Sequence, residues 1–254
     1  MNKKDDCENS EVMSRAEWLH AIYASIPGEG FASFFVACFA LWGFATNQLL
    51  IVSALVLGLC VGAGIVFGNI FSGAKLDSGL SIILWLGKME KGWVVFVEII
   101  CQMIGWIAGC IVLGWVIGPA VYPGAMKPSF TIPYANAFVF ELIGTIFYFG
   151  VILYGPIIGE TGASSSMVVQ WMVTVLNVVM ATVSGCMLNA SRFLGGAVAD
   201  LIFKGTPLIV LNDSAYYVPW AIAVLLHGVL YRIWGADWVK SEQARRRGLK
   251  AHST

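Results

Sequence analysis

Two polar residues stand at the start of a short apolar segment, where they could contact a ligand. In the stretch 184–203, Asn189 precedes the apolar residues and Arg192 follows three positions later. The side-chain oxygen of Asn can accept a free backbone N–H in the first turn of a helix. A charged Arg in apolar surroundings is costly unless it faces water or a partner. Asn189 is therefore a candidate helix cap, and Arg192 is a candidate functional residue.

The same pattern occurs twice in the chain. Residues 72–77 and 184–189 share Ser, Gly, Leu and a final Asp or Asn at an offset of 112 residues. The same offset relates Glu29 to Glu141, so that each acid lies 48 residues before its Asp or Asn. A capped short helix and a distant acid that repeat at one offset predict an internal duplication.

The composition indicates an integral membrane protein. Of the 254 residues, 58% are apolar and 12% are charged, with a mean hydropathy of +0.79, whereas a soluble domain carries roughly 25% charged residues. The zero net charge gives no reason to expect a nucleic-acid partner. The polar N-terminus predicts no cleaved signal peptide. The six cysteines contain no CxxC pair, which favours neither a disulfide framework nor a metal site.

Six apolar segments are candidates for membrane spans, which need about 20 residues: 28–46, 49–71, 93–117, 137–154, 167–183 and 216–234. Two further helices, 77–86 and about 189–203, would cross only about half of the ~30 Å hydrocarbon layer. The predicted fold is an all-α integral membrane protein with six transmembrane helices plus two half-helices. We expect a tail over 1–26, a membrane domain over 27–236 with repeats at about 27–118 and 136–236, and a basic tail over 237–254.

Each repeat has three spans, an odd number, so the second repeat must enter the membrane from the opposite side. The two half-helices then meet near the midplane with their N-terminal ends facing each other, at the interface where such inverted repeats place their sites. Each N-terminal end carries roughly half a positive elementary charge. Twelve Lys and Arg residues fall on the side of both termini and three on the other, which predicts that both termini are cytoplasmic.

These motifs resemble the aquaporin family, also called the major intrinsic proteins, over about residues 27–236. The resemblance is carried by the segments 72–77, 141–145 and 185–192 together with the paired Glu29 and Glu141. It implies an aquaporin-like 3+3 inverted repeat and a channel for water or small neutral solutes such as glycerol, urea or ammonia. It also implies a homotetramer in the lipid bilayer with one pore per subunit, no cofactor and no enzymatic activity.

The sequence departs from the family at its two Asn-Pro-Ala boxes, which here read Asp77-Ser78-Gly79 and Asn189-Ala190-Ser191. An ionised Asp accepts hydrogen bonds but donates none, whereas the family's Asn donates to the permeating molecule. Asp77 could be an ionised acceptor, a protonated donor or a helix cap, and Lys75 could pair with it.

The family forms its narrowest constriction from four residues, which by spacing fall on Leu57, Asn177, Cys186 and Arg192. A strict water channel has an aromatic residue and a His at the first two positions, so Leu57 and Asn177 predict a neck of different shape. Arg192 is retained and would oppose the passage of protons and cations.

The resemblance also assigns supporting residues and leaves two other functions open. The resemblance implies that Glu29 and Glu141 accept hydrogen bonds from backbone N–H groups of the loops that precede the half-helices. Gln102 would help to support the loop. A secondary carrier coupled to protons or ions, with Asp77, Glu98 and Glu141 as a relay, is one alternative. A non-conducting relative with a structural or regulatory role is the other.

Overall fold

The structure, a computed structural model, describes residues 15–45, 49–119, 133–158, 162–181, 183–205, 214–235 and 241. Most of the two predicted tails lies outside these residues. Within the described part every regular element is a helix and no strand occurs. The predicted all-α class is confirmed.

Nine α-helices follow one another in the described residues: α1 Arg15–Ser25, α2 Ala32–Ala45, α3 Leu50–Gly68, α4 Ser78–Leu86, α5 Gly92–Ile117, α6 Tyr134–Ile158, α7 Gly162–Met180, α8 Ala190–Lys204 and α9 Ser214–Leu230. Five helical segments of the described chain are long and apolar enough to cross a membrane, and Met167–Met180 is a shorter apolar one. Together with the half-helices α4 and α8, they give the predicted arrangement.

The first spanning helix is longer than the sequence predicts. α1 continues through a π-helical turn, Ile26–Phe31, into α2, so that one helical segment runs from Ala16 to Ala45. The prediction placed the start of this span near Gly28, because it assigned residues 1–26 to a polar tail with a short interfacial helix at about 15–20. α7 likewise begins at Gly162 rather than Met167.

The two half-helices begin where their capping residues predict. α4 starts directly after Asp77 and α8 directly after Asn189, and both caps have extended backbone angles. α4 packs against α9 and α8 packs against α5. Each half-helix thus lies against the last span of the other half of the chain, which locks the two halves together.

A glycine sets the close approach of α8 to α5. A Cβ atom built on Gly195 would lie 2.8 Å from the carbonyl carbon of Trp106 and 2.9 Å from its oxygen. These atoms belong to the backbone of α5 and cannot rotate away.

We expect Gly195→Ala to destabilise the protein by about 1–3 kcal/mol, the usual cost of overpacking. The matched control is Gly150→Ala, where the nearest atom to the new Cβ is His227 Cε1 at 3.6 Å, an ordinary contact. Thermal unfolding in detergent, followed by circular dichroism, measures both variants. Equal melting temperatures for the two would contradict the packing role of Gly195.

Candidate functional site

The two loops that lead into the half-helices have the same unusual backbone. Gly73, Ala74 and Leu76 have φ angles of 90°, 44° and 56°, and the residues 112 positions later have 90°, 55° and 52°. Left-handed backbone at residues other than glycine is costly and persists only where the surroundings enforce it. The repeated conformation is what the predicted internal duplication requires.

Glu29 enforces this conformation in the first loop. Its Oε1 accepts from the Ser72 hydroxyl and the Lys75 backbone N–H, both at 2.9 Å. Its Oε2 accepts from the Leu76 N–H at 2.8 Å and from Gln102 Nε2 at 2.9 Å. The carboxylate is fully buried, and it satisfies two backbone N–H groups of a loop that is not helical.

Glu141 holds the second loop in the corresponding way. It accepts from the Ser184 hydroxyl at 2.6 Å, from the Met187 N–H at 3.1 Å and from the Leu188 N–H at 3.4 Å. The structure therefore places both predicted acids where they satisfy the loop backbone. Gln102 supports the first loop indirectly, because it donates to the Glu29 carboxylate.

One further support escaped sequence analysis. The buried Tyr216 donates its hydroxyl to the Ser184 carbonyl at 2.6 Å and so holds the start of the second loop. Tyr at the start of a span is typical of the membrane interface, so nothing in the sequence distinguishes this residue.

The second capping residue contacts the first loop across the repeat interface. Asp77 Oδ1 accepts from the Gly79 N–H at 2.7 Å, and Asn189 Oδ1 accepts from the Ser191 N–H at 2.9 Å. Asn189 Nδ2 also donates to the Leu76 carbonyl of the other loop at 2.7 Å. Of the interpretations left open for Asp77, the helix cap is confirmed.

Ser78 and Ala190 occupy the first position of α4 and α8, where the family carries Pro. Gly79 stands where the family carries Ala, and a Cβ there would lie 2.9 Å from the Trp220 indole nitrogen. The Asp77 carboxyl is fully buried, and a Cβ at Gly79 would also clash with the ring of Phe149. Large aromatic residues therefore occupy the space beside the first box.

Lys75 does not pair with Asp77, in contrast to the possibility that the sequence left open. Its ammonium lies 2.5 Å from a carboxylate oxygen of Glu90 and 2.5 Å from one of Glu98. Lys75 pairs with these acids because Asp77 caps its own helix, whereas Glu98 extends from α5 to Lys75.

All four residues predicted for the constriction are buried. Arg192 Nη1 donates to the Cys186 carbonyl at 3.1 Å, which fixes the guanidinium beside the second loop. Leu57 lies in α3 and Asn177 in α7, two helices that pack against each other. Asn177 Nδ2 donates to the Val173 carbonyl at 2.8 Å. That the four surround one neck stays a prediction.

A cavity of about 480 Å³ opens on the side of the molecule where α9 ends. Below we call it the inner cavity. Its wall includes Lys75, Glu90 and Tyr148, and it extends to Asn189. It therefore reaches from Tyr231, just after α9, to the capping residue of α8.

A family model described as "Major intrinsic protein" matches residues 14–221. This chain belongs to the major intrinsic protein family. Aquaporin AqpM of Methanothermobacter marburgensis is 30% identical over 183 residues, which cover 69% of this chain and 72% of that protein. The crystal structure of the aquaglyceroporin from Plasmodium falciparum has the same fold, with a TM-score of 0.72 at 21% identity, and the match covers 88% of this chain and 99% of that one.

Proposed function

We propose that this major intrinsic protein is a passive channel for water and small neutral solutes. Family membership supports the activity, and one contact carries the argument for this chain. The Asn189 amide bonds to the Leu76 carbonyl and so joins the two half-helix loops at the end of the inner cavity. The paired half-helices are thus assembled although both Asn-Pro-Ala boxes are altered.

The site can pass a solute without any covalent chemistry. Non-helical loop backbone at membrane depth has carbonyl groups without helical partners, and these can replace the hydration shell of a passing molecule. Both half-helices point their partially positive ends at the repeat interface. Arg192 adds a full positive charge beside Cys186. This combination favours neutral solutes over cations and protons.

We further propose a neck wide enough for glycerol or urea, a homotetramer in the bilayer, and both termini in the cytoplasm. Leu57 and Asn177 support the wider neck, since they stand where strict water channels carry an aromatic residue and a His. The excess of Lys and Arg on one side supports the orientation. The inner cavity is then the cytoplasmic vestibule.

Uptake into proteoliposomes distinguishes a channel from a coupled carrier. Radiolabelled glycerol and urea are followed over a wide concentration range, with and without imposed proton and sodium gradients. The channel predicts rates that rise linearly with concentration and do not respond to either gradient. Saturation together with gradient dependence would favour the carrier, and rates equal to empty liposomes for both solutes would contradict the wide neck.

Asp77→Asn tests what the acid does at the midplane. Asn caps a helix as well as Asp does, so we expect the free energy of unfolding to change by less than about 0.5 kcal/mol. The variant gains an N–H donor and loses a carboxylate that offsets the positive helix ends. Water permeability should therefore rise, roughly twofold or more.

The control is Asp200→Asn. It removes a carboxylate that lies 3.1 Å from the Lys204 ammonium, and both residues belong to α8. We expect stopped-flow light scattering to show the increase for Asp77→Asn only. A fall in permeability with unchanged stability would mean that the carboxylate at position 77 aids conduction.

A further inference from the structure

The wall of the inner cavity contains an ion cluster to which neither the family resemblance nor the proposed function assigns a role. Lys75 belongs to the first half-helix loop, and its ammonium lies 2.5 Å from Oε1 of Glu90 and 2.5 Å from Oε1 of Glu98. The Lys75 and Glu98 side chains are 6% and 2% exposed, whereas that of Glu90 is 25% exposed. Lys75 and Glu90 both line the cavity.

The three residues come from three different elements. Lys75 lies in the loop before α4, Glu90 lies in the connection from α4 to α5, and Glu98 lies in α5. The Lys75 backbone is fixed separately, because its N–H donates to Glu29. Glu29 therefore supports the backbone of Lys75, whereas Glu90 and Glu98 pair only with its side chain.

The two acids neutralise the buried Lys75 ammonium, and their removal would free it to move. A buried ammonium that loses its carboxylate partners is strongly destabilised. The lysine stem is long and flexible, so the ammonium can move to the nearest water and free acceptors. The nearest open space is the inner cavity, whose wall also includes Gly73, Ala74 and Asn189. A released ammonium would enter the solute path.

We propose that Glu90 and Glu98 hold the Lys75 ammonium against the cavity wall and thereby keep the inner half of the pore open. The two acids are positioning residues, which act on the solute only through Lys75. Without them the ammonium narrows the cavity and adds a positive charge between its mouth and Asn189. This inference rests on the proposed channel function.

The test compares water permeability of proteoliposomes that contain the full-length protein, the double variant Glu90→Gln/Glu98→Gln, and the triple variant that also carries Lys75→Met. Rates are normalised to the amount of folded protein measured by size exclusion and circular dichroism. We expect the double variant to lose roughly fivefold or more in permeability, the scale of a typical coupling between two sites. The triple variant should recover most of that loss, since Met leaves no charge to release.

A purely structural role for the acids predicts a different result. If the triple variant stays as slow as the double variant, or if the double variant conducts like the parent, the inference is wrong. Should the double variant not fold, Glu90→Gln, at the most exposed position of the cluster, is compared in the same way with Glu90→Gln/Lys75→Met. A parent protein no faster than empty liposomes would instead overturn the channel function, and the inference with it.

Discussion

Glu29→Gln is expected to destabilise the protein by about 3 kcal/mol or more and to abolish permeability. The carboxylate accepts four hydrogen bonds, two of them from backbone N–H groups of the first loop. Gln has nearly the same shape but replaces one acceptor oxygen with an NH2 donor. This NH2 group would face two of the groups that donate to the Glu29 carboxylate. Buried hydrogen bonds to a charged group contribute about 1.5–3 kcal/mol each, and an unsatisfied buried donor adds its own penalty.

Thermal unfolding and the yield of monodisperse protein measure the effect. The matched control is Glu17→Gln, since Glu17 is half exposed and lies 3.9 Å from Lys91 in a surface ion pair of the kind that contributes little. The control should melt like the parent. A Glu29→Gln protein with parental stability and permeability would contradict the view that this acid supports the loop.

Arg192→Ala is expected to keep water permeability and to raise the permeability to protons and glycerol. The guanidinium occupies the approach to the second half-helix, fixed by the Cys186 carbonyl, and its charge opposes cations. Ala removes both the charge and most of the side-chain volume. We expect roughly a tenfold rise in proton flux, which corresponds to about 1.4 kcal/mol in the barrier.

A pH-sensitive dye inside proteoliposomes reports proton flux, and light scattering reports glycerol. Arg232→Ala serves as the control, because Arg232 is an exposed residue in the π-helical turn after α9 and lies away from the second loop. If Arg192→Ala left proton and glycerol fluxes at parental values in a folded sample, Arg192 would not form the barrier.

The parts of the site that the sequence predicts depend on local chemistry or on the repeat. Asp77 and Asn189 cap the two half-helices because a cap needs only the next two or three residues. The pairing of Glu29 and Glu141 with their loops follows from one offset that recurs in both halves. The structure confirms these contacts, together with the bounds at which α4 and α8 begin.

The parts that the sequence does not predict depend on which helices become neighbours. Lys75 lies nearest to Asp77 along the chain but pairs with Glu98, which α5 brings to it. Tyr216 reaches the Ser184 carbonyl from the start of the last span. The π-helical turn around Glu29 has no signature in hydrophobic periodicity. Such turns occur mostly as single-turn bulges inside α-helices and are frequent at functional sites.

Two interlocked half-helices with altered boxes are expected to form a conducting pore. The most direct test is stopped-flow light scattering of proteoliposomes under an outward osmotic gradient, with empty liposomes as reference. We predict that the protein accelerates shrinkage several-fold and that a protonophore leaves the rate unchanged. If proteoliposomes that contain folded, membrane-inserted protein shrink no faster than empty liposomes, the protein does not form a conducting pore.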